Sequence, residues 1–258
     1  MYPKLLKYSK STLMEKISND IKINLLTYLN PIDKINFIKC NKELYTYLQY
    51  YKSKFIEIIL LIDTTASMHP CKKKIKNYFL NFIKNLYTTC ICRVSIILFR
   101  DYKDEYVTKI LDFTTNYNQI QSFLNDIDCS GGEDMPEAIE KAFEEAIELN
   151  YFSHFNKQMF LITDSYPHAL NEDDSEDDIN DAEYKNSINN YKYWKYEFDK
   201  LNLFIDNFYL VDCNIHNNTS LYYREFIYII SNYDNKNNKK IINFNNLDYY
   251  LKNIININ

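Results

Sequence analysis

The chain of 258 residues contains two glycines, five prolines and one tryptophan. So little glycine argues against a glycine-rich loop that cradles phosphate groups. No apolar run approaches the roughly 18 residues that a membrane span requires, and the amino terminus has no apolar signal-peptide core. Six cysteines form no Cys-x-x-Cys pair and no histidine-linked metal spacing. We therefore expect an intracellular, cytoplasmic protein with free thiols and no membrane partner.

Charge is unevenly distributed along the chain. Residues 1–55 carry ten lysines and four acidic residues, whereas the remainder carries 20 basic and 31 acidic residues. An acidic balance in the larger part argues against a nucleic-acid partner. Residues 171–183, NEDDSEDDINDAE, contain eight acidic residues and no basic one. This segment is typical of a solvated or disordered loop.

From Phe55 onward, short apolar runs alternate with segments of helical period. This alternation predicts a doubly wound α/β fold, with a mainly parallel sheet and helices on both faces. An antiparallel hairpin is expected from two adjacent strands, 92–99 and 106–113. A helix is expected from Pro136 to Leu149, because proline favours the first helical position.

Asp63-Thr64-Thr65-Ala66-Ser67 follows the buried-type strand Phe55–Ile62. Alternate positions carry a carboxylate and two hydroxyls, which are the oxygen ligands that a hard cation prefers. The loop stands at the carboxyl end of a strand, where open α/β sheets bind ligands. Mg²⁺ is the expected ion, with Mn²⁺ or Ca²⁺ as alternatives.

Both glycines of the chain are adjacent, at Gly131 and Gly132. A sequence that otherwise avoids glycine is expected to need positive φ or close backbone approach there. A further apolar run, Met159–Thr163, ends at Asp164 and predicts a second strand with an aspartate at its carboxyl end.

Together these motifs resemble the von Willebrand factor A (VWA) family and its metal-ion-dependent adhesion site, with the pattern D-x-S-x-S, a later threonine and a later aspartate. The resemblance implies direct ligation by Thr65 and Ser67, and direct or water-mediated ligation by Asp63 and Asp164. Asp134 stands where the family has threonine and would complete the shell. The runs FRDYKDEY, GGEDMPE and ITDSYPH look like the VWA subgroup seen in some alpha-kinase proteins of protists. We expect the VWA domain to span residues 55–258.

Residues 12–50 have helical period, and the run ISNDIKINLLTYLNPIDKINFIKCNKEL resembles an F-box. The resemblance implies docking on a Skp-like linker protein through an apolar face, with five candidate contacts: Ile17, Ile21, Leu25, Pro31 and Ile35. Departures are Ser18 for the usual proline and Leu44 for the tryptophan. The alternative is an ordinary helical hairpin that packs on the VWA domain.

The VWA and F-box resemblances together suggest a substrate-recognition adaptor of a Skp-cullin-F-box ubiquitin ligase, whose VWA domain selects a target protein. It looks like F-box plus VWA proteins of amoeba-infecting giant viruses. A stand-alone VWA binding module is the alternative. A metal-dependent phosphotransfer enzyme is the third hypothesis, and we do not favour it, because the aspartate that haloacid-dehalogenase-type phosphatases need at i+2 is replaced by Thr65.

Overall fold

The computed structural model describes residues 55–132, 136–152, 155–168, 190–214, 220–232 and 238–257. All of them belong to the second of the two units into which the chain divides, Ser53–Asn258. Three sequence predictions lie outside the described residues: the F-box at 12–50 with Ile17, Ile21, Leu25, Pro31 and Ile35; the ligand Asp134; and the acidic segment 171–183.

Strands and helices alternate through the described ranges. The strands are β1 Phe55–Asp63, β2 Ile91–Phe99, β3 Thr108–Thr114, β4 Pro136–Glu137, β5 Asn156–Thr163, β6 Tyr166–Pro167, β7 Asn207–Asp212 and β8 Asn238–Asn243. The α-helices are α1 His69–Thr89, α2 Tyr117–Asn125, α3 Ile139–Glu148, α4 Asn190–Asn202, α5 Leu221–Asn232 and α6 Leu247–Ile257. Among the described residues, no helix combines the length and apolar character that crossing a membrane would require.

Six strands form one sheet in the order β3-β2-β1-β5-β7-β8. All neighbours pair in parallel except β2 and β3, which are antiparallel. The predicted α/β fold class and the predicted hairpin are thereby confirmed. β1 lies between β2 and β5, so the loops that follow three parallel strands meet at one edge of the sheet.

The sheet is buried on both faces, which explains the continuous apolar run of β1. Ile56, Ile58, Leu60 and Ile62 belong to one apolar cluster with α1, and Ile59 and Leu61 belong to the other with α3. Each fully buried aliphatic side chain contributes roughly 1.5–3 kcal/mol of transfer free energy. This two-sided burial holds the carboxyl end of β1 in a fixed place.

The helix expected at Pro136 begins later, at Ile139. Pro136 and Glu137 are instead extended and pair in parallel with Tyr166 and Pro167 of β6. The Ala138 N–H donates to the Arg100 carbonyl, a partner outside the helix. Tertiary pairing has therefore overridden the local preference of proline for a helix start.

Candidate functional site

Asp63 ends β1 with its carboxylate 1% exposed, and three donors hold it. Its Oδ1 accepts from the Thr65 N–H at 2.9 Å and from Thr65 Oγ1 at 2.6 Å, and its Oδ2 accepts from Thr163 Oγ1 at 2.7 Å. Thr64 points the other way and donates to the Phe99 carbonyl of β2. Alternation along the chain thus places residues 63 and 65 on the same side of the loop.

Ser67 and Asp164 complete a chain of polar contacts from the interior to the surface. Thr65 Oγ1 lies 3.2 Å from Ser67 Oγ, which donates to Asp164 Oδ1 at 2.9 Å. Ser67 is exposed and Asp164 is half-buried. Four of the five predicted ligands therefore lie together at the edge of the sheet, and this cluster opens to solvent on the Ser67 side.

The two glycines pack directly against this cluster. Both have positive φ, +79° at Gly131 and +71° at Gly132, as the sequence predicts. A Cβ at Gly132 would lie 2.8 Å from the Thr65 Cβ, closer than real contacts allow. Hydrogen bonds fix the loop: Ser130 N donates to the Thr64 carbonyl, and Ala66 N donates to the Gly131 carbonyl. The glycines are required where the backbone passes over Thr65.

Glu137 is a member of the site that sequence reasoning missed. It is 3% exposed, and its Oε1 would lie 3.0 Å from a Cβ at Gly132. Its Oε2 is buried without a hydrogen-bond partner. A buried, unsatisfied carboxyl oxygen is costly unless something binds it. In the sequence, Glu137 follows a proline and therefore looked like a residue of the first turn of a helix. The signal that could have identified it is its closeness to the only two glycines of the sequence.

The site is strongly acidic. Burial raises the pKa of Glu137 to about 11, and four carboxylates add to that shift: Asp63, Asp101, Asp104 and Asp164. Burial also raises the pKa of Asp63 to about 7, with repulsion from Asp164 as the next cause. Such crowding of negative charge is relieved when a cation binds.

Asp101 and Asp104, in the segment after β2, hold the glycine loop and the buried His168 in place. An Asp104 carboxylate oxygen accepts from the Gly132 N–H at 3.1 Å, and Asp101 Oδ1 lies 2.6 Å from His168 Nε2. His168 is 1% exposed and is buried with Asp101. His69 is exposed at the start of α1.

The donor set suits a hard divalent cation. Two hydroxyls and several carboxylates converge, and Mg²⁺ prefers oxygen ligands of this kind. In the part of the chain that the structure describes, no group of three or more His, Cys, Asp or Glu side chains is placed to hold a metal by itself. A cation at this position would have to bind the hydroxyls of Thr65 and Ser67 as well as carboxyl oxygens.

A family model described as the von Willebrand factor type A domain matches residues 58–166. The match begins within β1, includes the glycine loop and β5, and ends in β6. Residues 58–166 form a VWA-type domain. A comparison with curated protein sequences found no match.

Solved structures with a similar fold include a minor pilin and a pilus adhesin. The PilB minor pilin from Streptococcus sanguinis is 12% identical with a TM-score of 0.54, over 79% of this chain and 61% of the pilin. The pilus adhesin SpaC from Lactobacillus rhamnosus GG is 13% identical with a TM-score of 0.55, over 79% of this chain and 30% of the adhesin. This chain thus corresponds to less than two thirds of either protein. At sequence identities this low, the similarity shows a shared fold alone.

Proposed function

We propose that the VWA-type domain of residues 58–166 binds a target protein at a divalent-cation site. Mg²⁺ is the proposed ion, and Mn²⁺ or Ca²⁺ could replace it. The observation that carries the proposal is the continuous contact from Asp63 through Thr65 and Ser67 to Asp164, at the solvent-open edge of the sheet.

The roles of the residues follow from their positions. Thr65 and Ser67 would offer neutral hydroxyl oxygens, and Asp63 and Asp164 would act directly or through water. Asp134, the fifth expected ligand, lies outside the described residues. Glu137 supplies a buried carboxyl from the same loop region, and its partnerless Oε2 fits a cation-binding role.

The charge of the site bears on the kind of ligand. Three or more carboxylates around one divalent cation leave the site with net negative charge. We therefore propose weaker recognition of an acidic ligand than in sites that use threonine in place of Asp134. An Asp134→Thr variant with unchanged affinity for a carboxylate peptide would count against this part of the proposal.

Thermal unfolding of the full chain tests the metal site. Saturating Mg²⁺ should raise the melting temperature over that in EDTA by roughly 5 °C, since a ligand that binds only the folded state stabilises it. Ser67→Ala should remove most of that rise, and Ser122→Ala, an exposed serine on α2, should keep it. An equal rise in both variants would contradict the proposed site.

The finer proposal for the whole chain is that residues 12–50 form an F-box and recruit a Skp-like linker protein. The supporting observation is the sequence ISNDIKINLLTYLNPIDKINFIKCNKEL. The protein would then act in the cytoplasm as an adaptor of a ubiquitin ligase, without catalysis of its own. A stand-alone VWA binding module is the alternative.

Co-purification with the Skp-like linker distinguishes these two possibilities. Wild type should bind, and a Leu25→Asp, Pro31→Ala double variant should not. A linker that fails to bind well-folded wild type would leave the stand-alone module as the function. The result is independent of the metal test, because each test changes residues in a different part of the sequence.

A further inference from the structure

Two cysteine thiols meet at the same edge of the sheet as the acidic site. Cys71 lies in the first turn of α1, and Cys213 directly follows β7. The Cys71 Sγ–H donates to the Cys213 carbonyl oxygen at 3.9 Å, so the two cysteines are in direct contact. They are separated by 142 positions in sequence, so the fold alone brings them together.

Regular structure holds both cysteines in place. Cys213 N donates to the Thr163 carbonyl at 3.0 Å, which continues the pairing of β7 with β5 beyond the strand. Cys71 is anchored by the apolar cluster beneath α1, with 1% exposure, and Cys213 has 2% exposure. His69 and Pro70, just before Cys71, are exposed. Cys71 is therefore buried directly after two exposed residues.

The two thiols have different chemical character. The hydrogen bond with Cys213 lowers the pKa of Cys71, and Lys74 acts in the same direction. A position in the first turn of a helix also favours a thiolate. Burial raises the pKa of Cys213 well above its usual value. The lowered pKa and the position in the first turn of α1 favour Cys71 as the nucleophile of the pair, and Cys213 as the thiol that resolves its oxidised form.

We propose that Cys71 and Cys213 are a modification site that a hydroperoxide such as hydrogen peroxide converts to a disulfide. The Cys71 thiolate attacks one peroxide oxygen and breaks the O–O bond, which gives a sulfenic acid and, after protonation of the leaving hydroxide, water. The Cys213 sulfur then attacks the Cys71 sulfur and displaces hydroxide, which takes up the Cys213 proton as a second water. In total, two thiols and one peroxide give one disulfide and two waters.

Peptide mapping of the full chain tests this proposal. The reduced protein is treated with hydrogen peroxide in EDTA, alkylated and digested with trypsin without reduction. A cross-link should join peptide Phe55–Lys72 to peptide Leu201–Arg224, with a mass lower by the two thiol hydrogens. It should form roughly tenfold or more faster in the folded protein than in urea, because the fold holds the two cysteines in contact.

Two variants sharpen the test. Cys71→Ser should abolish the cross-link, and Cys129→Ser, which changes a half-buried cysteine elsewhere at this edge, should retain it. If Cys71→Ser fails to fold, the wild-type peptide map decides the question by itself. Peroxide that leaves both thiols free in the folded protein, or links either one to a different cysteine, would overturn the proposal. The presence of EDTA makes the outcome independent of the proposed metal site.

Discussion

Ser67 Oγ donates a 2.9 Å hydrogen bond to Asp164 Oδ1, a contact that joins the loops after β1 and β5. The two strands pair in parallel, so their carboxyl ends lie side by side. The contact shows how a mainly parallel sheet assembles one polar cluster from distant parts of the sequence.

Glu137→Gln separates the proposed metal role of this carboxyl from its structural role. Since the pKa of Glu137 is raised to about 11, the group is neutral at pH 7 without metal, and glutamine is a close mimic of it. We expect little change in the unfolding free energy in EDTA, but a loss of Mg²⁺ affinity on the order of tenfold or more.

Titration calorimetry with Mg²⁺ measures the affinity, and urea unfolding in EDTA measures the stability. Glu148→Gln, at the exposed end of α3, is the matched control and should bind Mg²⁺ like wild type. Unchanged Mg²⁺ affinity in Glu137→Gln would exclude this carboxyl from the site.

The metal-free protein should lose stability as the pH rises from about 4 to about 7. The pKa of Asp63 is 3.8 for the free side chain and about 7 in the fold, so the folded state binds more protons across this window. Stability rises with pH only where the unfolded state binds more protons, and the sign here is the opposite. The contribution is at most a few kcal/mol, at roughly 1.4 kcal/mol per pKa unit.

Urea unfolding in EDTA at pH 4.5 and at pH 7.5 measures this effect. Asp63→Asn should lose less stability between these two values than wild type, because asparagine does not titrate. Mg²⁺ should reduce the loss in wild type. An identical pH dependence in wild type and Asp63→Asn would refute the assignment.

Gly132→Ala should destabilise the domain by roughly 1–3 kcal/mol or more, because the residue combines positive φ with contact to Thr65. The added Cβ would lie 2.8 Å from the Thr65 Cβ and 3.0 Å from Glu137 Oε1, so Mg²⁺ binding should weaken as well. Urea unfolding and calorimetry measure the two effects. Ser130→Ala, which alters the same loop without adding an atom, should be close to wild type. A fully stable Gly132→Ala protein would show that the loop can move away from Thr65.

Glu57→Ala tests the opposite end of β1. Glu57 Oε1 accepts from Arg93 Nε at 2.6 Å and from the Phe152 N–H at 2.9 Å, and both charged side chains are buried. Removing the carboxylate leaves Arg93 without its buried counter-charge, which costs roughly 3–5 kcal/mol. Urea unfolding should show this loss, while Glu57→Gln, which can still accept the Phe152 hydrogen bond, should lose less. Equal losses in the two variants would mean that the charge pair contributes little.

Sequence and structure agree most closely where residues follow a buried strand. The apolar run of β1 fixes where Asp63 stands, and alternation then brings Thr65 to the same side. Ser67 reaches Thr65 from the short 3-10 helix Ala66–Met68. The position of Glu137 could not be predicted in this way, because proline before glutamate is typical of a helix start, whereas β4 and β6 pair instead.

The start of β3 could not be predicted from the local sequence either. The strand begins at Thr108 and not at Tyr106, whose hydroxyl lies 2.8 Å from Thr64 Oγ1 and whose ring stacks under Arg100. In both places a contact between residues far apart in the sequence decides the local conformation, and a local pattern does not contain that information.

Calorimetric titration of Mg²⁺ into the EDTA-stripped, dialysed full chain tests the central claim most directly. We predict binding at one site per chain in wild type, loss of that binding in Ser67→Ala, and its retention in Ser122→Ala. Absence of binding by folded wild type, or equal binding by all three proteins, would contradict a cation site at Asp63, Thr65, Ser67 and Asp164.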